Sequence, residues 1–489
     1  MAQSTVSDRL GPLDSLFLYV EKKEMPLHIG SVFVFDGPID LKNLKALIEA
    51  KLPLIPRYRQ RVLFPPLNAG YPTWEYDPDF DIDRHIQRIR IKPGTMEELE
   101  RIAGELFSKV MDRSRPLWDL TVVDGLPRKR SALIARIHHC LVDGVAGVDL
   151  MNLTLDRSRE PAPAPPQRAY HPRPAPSRTE SLADALVSSY SHAVGRLLSI
   201  ESAALNVAES LAGELLQGSV RQTLGGAADL FRRVERFPFN APATGPRRVA
   251  WAEFPLEEIK AIKDARGVKV NDVFVMILSG AIQRYARVHG VPLERRLLRL
   301  MVPVNLRHAG DTHTGNKISL IQVNVPLDVA DPLELLESIH QRTEVLKHAH
   351  AADLMVLGGT LLSAMPVPAQ ATLVGLLSNN VPVLPFHMVC TNVPGPQFPL
   401  YLLARKMLSY YPYVPIGDFM GICCAMVSYN GGVYFGLTGD CACAPDVDRL
   451  RDFLYEACTE IREAAGIAVT ARRPRGERPR RDRARKFAG

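Results

Sequence analysis

The run His138-His139-Cys140-Leu141-Val142-Asp143-Gly144 gathers residue types that could move a proton. A histidine titrates near about 6.5 when unperturbed, so it can take or give a proton near neutrality. The sequence around the pair supplies its support. Ala132, Leu133 and Ile134, with Ile137 beyond Arg136, read as a strand that delivers both histidines to its end. Asp143-Gly144 turns the chain, and Val145, Val148, Leu150 and Met151 follow at spacings that suit one helix face. Successive strand side chains point to opposite faces, so the two rings cannot both face inward as strand residues, and one is expected to support the other. The same alternation turns Cys140 away, as a structural thiol. Spacing alone leaves open a packed-core or surface role for the pair.

The elements needed to position this run are legible on both sides of it. Upstream, Ser31–Phe35 reads as a strand, Leu41–Leu52 and Met96–Met111 as helices, and Asp119–Val123 as a strand closed by Asp124-Gly125. Pro56–Arg61 holds three arginines, one of which could support a buried acid. Downstream, residues 157–178 are rich in Pro, Ala and Arg, the composition of an extended linker, and Ser181–Phe237 reads as amphipathic helix that crosses between halves or lies on a membrane interface, the packed crossover being the safer reading. A second half begins near Pro246. It has strands at Arg247–Phe254, Leu298–Val304 and Ile318–Val325 and helices at Leu256–Ala265 and Val270–His289, the latter capped by Asn271 or Asp272. A hairpin over Gly421–Leu437 and a closing helix Asp446–Ala464 complete it. Strands and helices mixed in this order predict an α/β fold divided as 1–156, a crossover 157–245, a second subdomain 246–471 and a tail 472–489.

Composition narrows the partners. The net charge of +7 is matched by nine Lys/Arg against Glu477 and Asp482 from Arg472 onward, which leaves the body formally neutral. Such a tail suits an anionic membrane surface, with nucleic acid or plain solubility as the competing uses. The opening residues lack a charged start followed by an apolar core, and no apolar run reaches the length of a membrane-spanning helix, so a soluble or peripheral protein of a reducing compartment is expected. Cys423-Cys424 and Cys441-Ala442-Cys443 have neither CxxC spacing nor a nearby histidine pair, and no metal is expected there. Residues 354–404 contain no Asp, Glu, Lys or Arg but many prolines, which fits the wall of a deep apolar pocket or a face resting on lipid.

The run His138–Gly144 resembles the HHxxxDG motif of the bacterial wax ester synthase/diacylglycerol acyltransferase family, within the CoA-dependent acyltransferase superfamily. Its company strengthens the likeness: Leu27-His28-Ile29-Gly30, Pro116-Leu117-Trp118, Asn271-Asp272, Pro303-Val304-Asn305-Leu306-Arg307, Gly315-Asn316 and Thr391-Asn392-Val393-Pro394-Gly395-Pro396. The chain departs from the family's commoner residues at Leu27 and Asn305. The resemblance implies two chloramphenicol-acetyltransferase-like subdomains, each a mixed sheet with helices, facing across a central tunnel. It implies His139 as general base, His138, Asp143 and Gly144 as supports, and Asp143 held by Arg307 or Arg57. Asn271 would stabilise an oxyanion or simply cap its helix. Pro116, Leu117, Trp118, Asn305, Arg307, Gly315, Asn316, Thr391 and Asn392 would bind substrate. The implied substrates are acyl-CoA, with no further cofactor, and diacylglycerol or a long-chain alcohol. The implied location is cytoplasmic, peripheral at the inner membrane or lipid bodies. A non-catalytic lipid-binding protein and a condensation enzyme fed by a carrier protein are the rival expectations, and no nucleic acid partner is expected.

Overall fold

The computed structural model describes residues 9–141, 154–160, 179–180, 182, 235–305, 318–348, 365, 367–370, 372–373 and 386–468, with the backbone alone at 13, 303–305, 318–321 and 345–348. In chain order the helices are α1 (Pro12–Val20), α2 (Leu41–Lys51), α3 (Met96–Phe107), α4 (Leu256–Arg266), α5 (Val270–Val288), α6 (Pro332–His348) and α7 (Asp448–Ala464). The strands are β1 (His28–Phe35), β2 (Gln60–Leu63), β3 (Thr73–Tyr76), β4 (Ile86–Arg90), β5 (Trp118–Asp124), β6 (Ser131–His138), β7 (Arg247–Pro255), β8 (Leu297–Asn305), β9 (Ile318–Pro326), β10 (Met388–Pro394), β11 (Tyr401–Leu402), β12 (Arg405–Tyr413), β13 (Ile422–Tyr429) and β14 (Gly432–Asp440).

Two six-stranded mixed sheets dominate, in the orders β11-β12-β1-β6-β5-β4 and β7-β14-β13-β10-β8-β9. Strand β6, buried at every position, lies in the middle of the first between β1 and β5. A strand buried on both faces reads as a nearly continuous apolar run, which is why Ala132-Leu133-Ile134-Ala135 shows no alternation. The second sheet carries two cores. On β7, Val249 and Trp251 join the first core, while Ala250, Ala252 and Phe254 join the second, the period of two that a strand dictates.

The linear division of the chain at 246 does not coincide with the division of the sheets. Strands β11 and β12 lie far along the chain, yet β12 pairs antiparallel with β1 from Gly30↔Tyr413 onward and so extends the first sheet. Where β12 passes β14, a Cβ at Gly436 would lie 1.8 Å from the Pro412 carbonyl oxygen, so only glycine admits that approach. Polar groups also tie the halves. Arg247 and Asp440, both wholly buried, pair at 2.6 Å, and the Arg247 guanidinium donates to the Glu24 carbonyl. Glu100 on α3 accepts the Trp251 N–H at 3.0 Å and pairs with Arg451 on α7.

Two departures from the expected element ends have a visible cause. Helix α3 stops at Phe107 instead of Met111, because Arg136 on β6 draws the carbonyls of Leu106 and Lys109 to its guanidinium. Helix α5 is capped by Lys269 and not by Asn271 or Asp272. Asp272 stands one turn inside, where its Oδ2 accepts the Lys269 N–H at 3.0 Å and the His340 ring at 2.7 Å, and its Oδ1 accepts the Thr343 hydroxyl. Its carboxylate at a helix N-terminus satisfies an otherwise open backbone donor and docks α6 in the same stroke. The expected helix after Gly144 and the basic tail lie outside the described residues, as do nearly all of the expected crossover helices and about half of 354–404.

Candidate active site

Strand β6 ends at His138, and His139–Leu141 form a 3₁₀ turn. That turn breaks the strand alternation, so both rings reach the interior and Cys140 folds back toward His138 instead of facing away. The end is pinned by backbone: the His138 N–H donates to the Leu117 carbonyl and the His139 N–H to the Leu27 carbonyl, each at 2.9 Å.

The two rings have unequal surroundings. His138 has no exposed surface. Its Nδ1 accepts the Cys140 N–H at 3.2 Å and lies 2.9 Å from the Cys140 thiol, so the proton of the neutral ring sits on Nε2. That Nε2 is 3.3 Å from Glu21 Oε1, an ion-pair distance off the ideal hydrogen-bond line. With both nitrogens facing protein groups, His138 cannot take a proton from a substrate. His139 is half-buried, and its ring lies parallel to Phe17 of α1, 3.9 Å between centroids at 17°. Burial pushes its pKa down to about 4, with its own backbone working against the shift and His138 reinforcing it. It is therefore the free base at neutral pH. Burial pushes the Cys140 thiol well up, which keeps it un-ionised and unreactive.

Glu21, a residue the sequence reading passed over, sits beneath this pair with 1% of its side chain exposed. Its burial would raise the carboxyl pKa, but His138, the Leu27 N–H and Arg113 together hold it at about 2. The signal in the sequence was faint: one acid just after the apolar stretch of α1, 117 positions before His138 in a chain whose charges are mostly surface. His28 was quoted only as part of a motif. It is the direct cross-strand partner of His138, wholly buried, and stacked with Tyr413 at 5.6 Å. Burial first, then the charge of Arg136, hold its pKa well below the usual range, and it stays neutral.

The other expected site residues divide into groups. Leu117 and Trp118 are sealed in the first core at 1% and 2% exposure, and Pro116 is buried beside them. They pack as a pillar behind the site: the indole Nε1 donates to the Tyr58 carbonyl, the His85 ring stacks on the indole, and the Leu117 carbonyl holds His138. Asn271 and Asn392 come together from α5 and β10, the Asn392 Nδ2 donating to Asn271 Oδ1 at a long 3.5 Å. Thr391 precedes on β10, opposite Ala425. Arg57 lies over the Trp74 ring at 4.8 Å and donates to Gln60 Oε1. Asp143, Gly144, Arg307, Gly315 and Asn316 lie outside the described residues, and Asn305 is described by its backbone only, at the end of β8. All seven cysteines are unpaired, and no group of three or more metal-ligating side chains converges among the described residues. Nor is any helix among them long and apolar enough to cross a membrane.

The chain matches known proteins along most of its length. A family model described as the wax ester synthase/diacylglycerol acyltransferase catalytic domain matches residues 10–274, and one for the WS/DGAT C-terminal domain matches 314–462. A protein of Mycobacterium tuberculosis named probable diacylglycerol O-acyltransferase is 32% identical over 94% of this chain and 100% of its own. The solved structure of a wax ester synthase/diacylglycerol acyltransferase from Marinobacter aquaeolei superposes with a TM-score of 0.67 at 25% identity, covering 94% of this chain and 100% of that one. The first condensation domain of the CDA synthetase shares the fold, with a TM-score of 0.53 at 14% identity over 95% and 98% of the two chains. This chain belongs to the wax ester synthase/diacylglycerol acyltransferase family.

Proposed function

We propose that this O-acyltransferase moves the acyl group of an acyl-CoA directly to the free hydroxyl of diacylglycerol, forming triacylglycerol. The observation that carries the reading is the contrast at the end of β6: one histidine with its Nδ1 taken by the Cys140 N–H and its Nε2 facing the buried Glu21 carboxylate, and next to it a second, half-buried and neutral at physiological pH. His139 takes the hydroxyl proton as the oxygen attacks the thioester carbonyl carbon. The C–S bond then breaks, and the imidazolium returns the proton to the CoA thiolate. Atoms and charge balance without a cofactor or an acyl-enzyme, and holding both substrates at one base supplies the proximity that a direct transfer needs.

Asn271 is the proposed donor to the oxyanion. Its Oδ1 is occupied by Asn392, which leaves the amide N–H₂ for a substrate, and it stands in the first turn of α5, where the helix dipole favours negative charge. Asp143 is proposed as a support of the turn, and Arg307, Gly315, Asn316, Asn305, Thr391 and Asn392 as substrate contacts. The apolar substrates and the basic tail favour work at an anionic membrane or lipid-body surface on the cytoplasmic side.

A long-chain alcohol presents the same hydroxyl to the same base, so wax ester synthesis is the second reading, supported by the Marinobacter likeness. Purified protein given labelled palmitoyl-CoA with dioleoylglycerol or with hexadecanol separates the two. Labelled triacylglycerol formed faster than wax ester is the expected result. Wax ester alone would replace the first reading with the second, and hydrolysis without either ester would refute both.

A further inference from the structure

We infer that Glu21 is the positioning residue of both catalytic-site histidines, acting as a clamp with Arg113. The inference rests on the acyl-transfer reading of the site. One carboxylate oxygen reaches both histidines. Oε1 faces His138 Nε2 at 3.3 Å and also accepts the Leu27 N–H at 2.9 Å. The Leu27 carbonyl, on the same residue, receives the His139 N–H at 2.9 Å. Glu21 thus holds one histidine by its ring and the other through a single residue of backbone.

The second oxygen is held as firmly. Arg113 NH2 donates to Oε2 at 2.9 Å and to the Leu18 carbonyl at 2.8 Å, which fixes the carboxylate plane and the last turn of α1 together. Phe17, the ring stacked on His139, is the neighbour of Leu18 on that turn. A shift of Glu21 would therefore move three things at once: the ring of His138, the backbone of His139 and the aromatic face over His139. Charge matters as well as shape. The Cys140 N–H fixes the neutral His138 ring with its proton on Nε2, and a buried anion is the partner that holds that tautomer in place.

The test uses the full chain with palmitoyl-CoA and dioleoylglycerol dispersed in detergent. Glu21→Gln keeps the size of the side chain and an oxygen for the Leu27 N–H but removes the charge. The expected result is a kcat lowered at least about tenfold with KM for palmitoyl-CoA within about threefold. A purely space-filling role predicts instead that kcat stays within about twofold of wild type, and that outcome would overturn the inference. Should Glu21→Gln fail to fold, Arg113 decides, since its side chain is 33% exposed and tolerates truncation. Arg113→Ala should lower kcat several-fold and Arg113→Lys should restore most of it, while an Arg113→Ala enzyme with unchanged kcat would equally overturn the clamp. Absence of ester from the wild-type protein with every acceptor would sink the acyl-transfer reading itself, a different failure from full activity in the variants.

Discussion

The end of β6 and the end of β10 hold opposite kinds of polar group. Around β6 they are ionisable: Glu21, His28, His138 and Arg136 are buried, while His139 and Asp119, the partner of Arg136, are half-buried. Where β10 meets the first turn of α5 they are neutral and half-buried, Thr391, Asn392 and Asn271, while the buried Asp272 of that turn bonds to α6 instead. The difference follows from what each end is proposed to do. Moving a proton needs a base whose charge state is set by its surroundings, and a buried base needs fixed counter-groups. Holding a developing oxyanion needs a donor that does not titrate, which an amide is.

Substitutions can break that contrast, beginning with the largest effect. His139→Ala should reduce kcat by about 10³- to 10⁴-fold in the triacylglycerol assay while the protein still folds, because the ring is removed from a half-buried turn. Arg247→Ala, on the seam between the halves, should cost about 3–5 kcal/mol in denaturant unfolding, since Asp440 is left buried without its partner. Asn271→Ala sharpens the comparison at the other strand end. With Lys269 as the cap, loss of Asn271 should leave thermal stability nearly unchanged, yet lower kcat by about 10²-fold. A loss of stability without a loss of rate would return Asn271 to a helix-end role.

The smallest effect concerns Glu100, which touches neither strand end. Burial pushes its carboxyl up to about 7 against the pull of Arg451 and the Trp251 N–H. Its folded pKa lies above the unfolded value, so the unfolded chain gives up this proton more readily. The stability it supports is complete below about pH 4.5 and is lost as pH rises toward 7. Glu100→Gln should remove that part of the pH dependence, a change on the order of 1 kcal/mol between pH 5 and pH 8 in urea unfolding.

How much of this was legible in the sequence depends on the range of the interactions. Local periodicity located β1, β5, β6, β7, α2, α4 and α5 within a residue or a few, because each signals its own buried face. Pairing between distant segments leaves no such trace, so nothing in Arg405–Tyr413 announced that it would lie beside β1. The cap of α5 was misread because Asn and Asp are good caps in isolation, whereas here the carboxylate reaches back from inside the helix. In the site, the motif pointed to His138 and His139, but their inequality depends on a thiol, a backbone N–H and an acid brought in from α1. Leu117 and Trp118 were read as substrate contacts because a motif marks a position and not the direction in which its side chains point; here they point into the core.

The central claim is that a neutral, burial-depressed His139 is the base. The most direct measurement of it is the pH dependence of kcat/KM for the wild-type protein, which reports the base in the free enzyme. With His139 held down to about 4, kcat/KM should stay level from pH 8 to about 5.5 and fall only below that, toward half its value near the depressed pKa. An acid limb centred near about 6.5, the value of an unperturbed histidine, would contradict the account.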